Sequence, residues 1–90
     1  MKYTKLDVLN LMEKELRFSK HALEQMYLPS RLLSKDEVKD AIIRGEIVDI
    51  EEVQERCDKI AIQAYNPTIF ISVGMCCDYL LVITTWRGVK

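Results

Sequence analysis

Three observations predict an α+β fold in which helices come first and cover one face of a small antiparallel sheet. Apolar residues recur at helical spacing through the first half of the chain, and each helical stretch opens on a Thr or Ser suited to cap it. After Gly45 the hydrophobic period drops to two, and β-branched residues become frequent. The order is three helices followed by about four strands on short connections, an arrangement that segregates the helices to one sheet face.

Each element has its own justification. The first helix is predicted over Thr4 to Leu16. Thr4 suits the N-cap and Asp7 the first turn, with Leu9, Met12 and Leu16 as the apolar stripe and Leu6 and Val8 flanking it. A shorter helix, Lys20 to Tyr27, is capped by Ser19, presents Ala22, Leu23 and Met26 as its apolar face, and ends before Pro29. Ser34 and Glu37 form a capping box that opens the third helix, with Val38, Ala41 and Ile42 inward and Gly45 as the stop after Arg44. Ile47 to Ile50 reads as an edge strand, guarded by Glu51 and Glu52. Lys59 to Tyr65 alternates as a second strand, and Asn66-Pro67 turns the chain into a third, Thr68 to Val73. Gly74 to Asp78 is the next turn. Tyr79 to Trp86 is almost wholly apolar or β-branched and belongs in the interior of the sheet.

Ninety residues make one domain, 1–90, organised as an amphipathic helix (1–17), a helical segment with the only histidine (18–45) and the sheet (46–90). A chain of this size buries only roughly 60–65% of its unfolded surface, so the core is small. The net charge of −1 argues against a dedicated nucleic-acid binder, which is usually basic. The first residues carry acids within their hydrophobic stretch, unlike a signal peptide, and no window has the roughly 18 apolar residues of a membrane span; the protein reads as cytoplasmic. Cys57, Cys76 and Cys77 are odd in number and lack paired zinc spacing, so they are expected as reduced, apolar-packed residues, with no metal and no cofactor.

The chemistry-bearing stretch is Phe18 to Asp49. It sets the lone imidazole of His21 close in sequence to the guanidinium of Arg31. Metal-independent cleavage of RNA by its own 2′-hydroxyl needs a base of near-neutral pKa, a cation on the phosphate and an acid for the leaving oxygen, and His21 suits the first role. Lys20, Arg31 and Arg87 would bind phosphate if the loop after the second helix folds over the sheet end. Tyr65 and Trp86 could stack on a base, although a lone Trp in a final strand is more often core. The acidic runs, Asp36-Glu37-Asp40 and Asp49-Glu51-Glu52-Glu55 with Asp58, read first as solvated faces, and otherwise as a dock for a basic partner.

The string SKHALEQM, the Arg before LSKDEV, the GEIVD entry to the sheet and the closing LLVITTW together resemble the domain-of-unknown-function 4258 family of small bacterial proteins. That family is thought to be similar to the RelE, barnase and EndoU-like ribonucleases, many of them toxins of toxin–antitoxin systems. The resemblance implies a RelE-like fold and metal-independent RNA cleavage. It makes His21 the acid or base and Arg31 a phosphate ligand, with Thr84, Thr85 and Trp86 lining the site. Two departures stand out. Gln25 replaces the Arg that the family commonly carries four residues after its His, and Thr68 to Ser72 lacks the family's second His. The other proton carrier would then be Tyr65, Tyr79 or Lys20. The expectations are therefore two: a ribonuclease toxin acting on RNA and held by a cognate antitoxin, or a non-catalytic domain on the same fold that binds a protein partner or a second copy of itself.

Overall fold

A computed structural model describes residues 3–28, 33–51, 57–65 and 68–87. Pro29, Arg31, Glu52, Glu55 and the Asn66-Pro67 turn lie outside the described residues. The element order is α1 (Lys5–Lys14), β1 (Leu16–Phe18), α2 (Lys20–Met26), α3 (Lys35–Arg44), β2 (Glu46–Glu51), β3 (Asp58–Ala64), β4 (Ile69–Met75) and β5 (Leu80–Arg87). The five strands form one mixed sheet in the order β1-β5-β4-β3-β2. This is the predicted α+β class with one strand more than expected.

The caps work as the sequence implies. Thr4 and Asp7 form a reciprocal capping box on α1, and Ser34 and Glu37 form another on α3. Ser19 does more than cap. Its hydroxyl accepts from Ala22 N at 3.0 Å and donates to Ile83 O at 2.9 Å, while its own amide donates to Val82 O at 2.9 Å. The start of α2 is thereby pinned to β5.

The core lies between the helices and one sheet face. Ile60 and Ile62 of β3, Ile69, Ile71 and Val73 of β4, and Leu80 and Val82 of β5 meet Val8, Leu11, Ala22, Met26, Val38, Ala41 and Ile42. Each fully buried Ile or Leu here contributes about 1.5–3 kcal/mol.

Several expectations need correction. Leu16 is not the last turn of the first helix. It opens β1, which pairs parallel with β5 in the register Leu16↔Leu80 to Phe18↔Val82. Three residues are too few to show a period, and they are extended because β5 offers them an unpaired edge. The apolar stripe of α1 is also rotated: Val8 and Leu11 are buried, Leu9 and Met12 flank them, and Leu6 is 64% exposed. β4 runs through Gly74 to Met75, beyond the predicted end at Val73.

Gly45 ends α3 with φ −75°, an ordinary extended value, and glycine is required there for a different reason. A Cβ would lie 2.7 Å from Ala41 O and 2.9 Å from Gln63 O, because the chain passes hard against β3 as it leaves the helix.

The cysteines are not all reduced. Cys57 and Cys76 form a disulfide, and Cys77 is free and exposed. The pairing Asp58↔Met75 sets Cys57 opposite Cys76 at the open end of the hairpin, with Cα atoms 4.6 Å apart, within the bridging range. Only the β3–β4 register makes that pairing visible. No helix among the described residues is long and apolar enough to cross a membrane.

Candidate functional site

Among the described residues the sheet has one face covered by helices and one open. Cross-strand register orders the open face into three rows. The first runs Arg17, Leu81, Gly74, Lys59, Glu51, from β1 to β2. The second runs Thr84, Ser72, Ala61, Asp49, and the third Trp86, Phe70, Gln63, Glu46. A bulge between Ser72 and Val73 leaves Ile83 as the extra residue on β5. Ile83 and Leu81 lean over Gly74: a Cβ built there would meet Cys57 Cβ at 3.2 Å and Ile83 Cδ1 at 3.4 Å.

The face is therefore graded across the strands. Leu81, Ile83 and Trp86 on β5, with Phe70 on β4, make an apolar strip that the Cys57–Cys76 bridge continues at one end. The Trp86 and Phe70 rings pack 5.4 Å apart and tilted by 38°, with Trp86 41% exposed. At the opposite edge, β2 turns Glu46, Asp49 and Glu51 to the same side, all exposed. Between them lies a hollow of about 170 Å³ lined by Asp49, Glu51, Lys59, Ile60, Ala61 and Ser72. Asp49 and Glu51 enter no ion pair among the described residues.

The sequence-predicted site residues divide between two places. Strand alternation separates the four on β5, because successive side chains point to opposite faces. Thr84 and Trp86 face outward, whereas Thr85 and Arg87 share a face with the core residues Ile69 and Ile71. Thr85 is fully buried, and its hydroxyl has no partner among the described residues. Its amide donates to Gln25 Oε1 at 3.1 Å. Arg87 lies 3.8 Å from the Glu37 carboxylate, so its charge is partly engaged.

His21 and Lys20 are exposed on α2. His21 sits one helical turn before Gln25 and so on the side of α2 that runs along β5. It makes no hydrogen bond or ion pair among the described residues. Arg31 lies outside them.

The proposed second proton carriers are dispersed. Tyr65 is 54% exposed just past the end of β3, where its carbonyl accepts from Arg44 Nη1 at 2.7 Å. Tyr79 precedes β5, beneath the Arg17 guanidinium at 4.2 Å. Trp86 marks the Tyr65 end of the sheet, and Tyr79 lies seven strand positions from it, about 23 Å, so the two tyrosines serve opposite ends. The acidic runs are likewise divided. Asp40 pairs with Arg44 at 2.6 Å, Glu37 caps α3, and Asp58 accepts from Tyr3 Oη at 2.7 Å, which leaves Asp36 on α3 and Asp49 and Glu51 on β2 as the exposed members outside any ion pair among the described residues. Among the described residues no group of three or more His, Cys, Asp or Glu could hold a metal ion.

Two features of the face were not foreseen: the Phe70–Trp86 pair and the register of Glu46 with Asp49 and Glu51. The signal for the first was the alternation in β4, where Phe70 is out of phase with Ile69 and Ile71. No protein-family model, no curated protein and no solved structure matches the chain.

Proposed function

We propose that the chain is a RelE-like domain that works by holding a protein partner on its open sheet face and does not cleave RNA. One observation carries this reading: among the described residues the uncovered face carries Leu81, Ile83 and Phe70, each partly exposed, and the exposed Trp86, on the adjacent strands β5 and β4, with only Thr84 and Ser72 between them. The near-zero net charge fits a protein partner better than a polyanion. Gln25 adds to the case. It is uncharged, and its amide oxygen is occupied by Thr85 N, so position 25 supplies no cation to a phosphate beside His21.

A second reading, a metal-independent endoribonuclease toxin of a toxin–antitoxin or mobile-element system, draws support from the exposure of His21 and Lys20 beside β5. Its chemistry would use His21 as base or acid and Arg31 on the phosphate, in the cytoplasm.

Induced bacterial expression of the wild type beside His21→Ala and Arg31→Ala separates the two. The binding reading expects normal growth and intact total RNA from all three proteins. It also expects a partner that co-purifies with the wild type and is lost with Phe70→Ser/Trp86→Glu. Growth arrest with RNA breakdown, absent in both single variants, would establish the ribonuclease instead.

A further inference from the structure

Resting on the binding reading, we infer that the open face takes an amphipathic helix from another protein, one that bears lysine or arginine along a flank of its apolar stripe. The distribution of charge across the sheet selects this occupant. A second copy of the chain centred on β4 fits poorly in either two-fold arrangement, and one shifted to lay the apolar strip on itself leaves Glu46, Asp49 and Glu51 beyond the contact. With the axis along the strands, β5 of one copy covers β3 of the other, so Leu81 and Trp86 rest on Lys59 and Gln63. With the axis across the strands, β2 covers β2, and the carboxylates of Glu46, Asp49 and Glu51 meet their own copies. The first strands apolar surface on polar groups, and the second opposes like charges.

A helix resolves both conflicts. Strands lie about 4.8 Å apart, so the apolar strip on β5 and β4 is about 10–14 Å from β2. A helix about 10 Å across can seat its apolar side chains on Phe70, Leu81, Ile83 and Trp86 while long cationic side chains on one flank extend to Asp49 and Glu51. The hollow over Ala61 and Ser72, which Lys59 also lines at its Glu51 end, gives one such side chain room beside Asp49. Along the strands the rows from Leu81 to Trp86 span about 15 Å, close to three helical turns, which matches apolar positions i, i+4, i+7 and i+11. A helix over this face would also complete a second covering layer for the sheet.

The test uses synthetic peptides of roughly 18 residues, long enough for helix formation on the surface. One carries leucines on one face and lysines beside them, one replaces each lysine with glutamate, and one scrambles the leucine–lysine order. None contains tryptophan, so emission of Trp86, the only tryptophan, reports binding. The leucine–lysine peptide is expected to bind saturably and shift that emission. Its affinity should weaken at least about tenfold with Asp49→Lys/Glu51→Lys and again with added salt. The glutamate and scrambled peptides should not bind. Equal binding of the lysine and glutamate peptides, both abolished by Phe70→Ser with Trp86 kept as the reporter, would overturn the cationic class and leave the binding reading standing. Unchanged affinity in Asp49→Lys/Glu51→Lys would also overturn it, as would failure of the leucine–lysine peptide to bind. Failure of the binding reading itself shows separately, in the RNA and co-purification experiment.

Discussion

Gln25 completes an edge that β1 leaves unfinished: its side-chain oxygen accepts the backbone amide of Thr85 at 3.1 Å. β1 pairs with β5 only as far as Phe18↔Val82. Beyond that point no strand among the described residues lies on the outer side of β5, and α2 packs against β5 there. A partly buried amide without an acceptor costs about 1–3 kcal/mol. Gln25→Ala should therefore lower unfolding free energy by about 1–2 kcal/mol, and Gln25→Glu, which keeps an acceptor, should recover most of it. Equal loss in both variants, measured by urea unfolding, would show that the bond is not what matters at this position.

Ser19 joins the same helix to the same strand. Ser19→Ala removes the acceptor for Ala22 N and the donor to Ile83 O together. The expected cost is about 2 kcal/mol, above that of a cap alone. Ser19→Asn, which can cap but has a different reach toward Ile83, should fall between. Denaturant midpoints ranking the three proteins otherwise would contradict the double role.

Gly45→Ala should destabilise although its backbone angles suit alanine. The added methyl would lie 2.7 Å from Ala41 O and from Ile62 Cγ2, and the first of these is backbone that cannot swing aside. Overpacking of this kind costs about 1–3 kcal/mol. A thermal midpoint at or above the wild-type value would refute the close approach.

The disulfide makes a chemical prediction. Alkylation of the denatured chain without reductant should label Cys77 alone, and reduction should expose Cys57 and Cys76 as well. Cys57→Ala/Cys76→Ala should cost at most about 3 kcal/mol, because the bridge closes a loop that β3–β4 pairing already closes. Labelling of all three cysteines without reductant would mean that the bridge is absent from the purified protein.

Lys5 gives a pH dependence. Its ammonium donates to Ile43 O and Gly45 O at the end of α3, and partial burial lowers its pKa from 10.5, opposed by the nearby Glu46 carboxylate. Between the lowered value and 10.5 the unfolded chain binds more protons than the folded one, so this residue makes stability rise with pH through that window. The difference between wild type and Lys5→Gln in urea should grow in the wild type's favour as pH climbs toward 10.5. A flat difference would remove Lys5 as the cause.

What the sequence alone determined is local. Thr4, Ser19 and Ser34 mark three helix starts because capping is decided within four residues. Val38, Ala41 and Ile42 name the buried face of α3, and the alternation of Ile60 and Ile62 names that of β3, because each element carries its own period. The tertiary structure decided what depends on a distant neighbour. Leu16 to Phe18 are a strand because β5 lies beside them, and Cys57 meets Cys76 because β3 and β4 pair in one register. The neighbouring registers bring Phe70 beside Trp86 and set Glu46, Asp49 and Glu51 on the same face at the opposite edge. Hydrogen bonding between strands is non-local, and no spacing along the chain encodes which residues it brings together on one face.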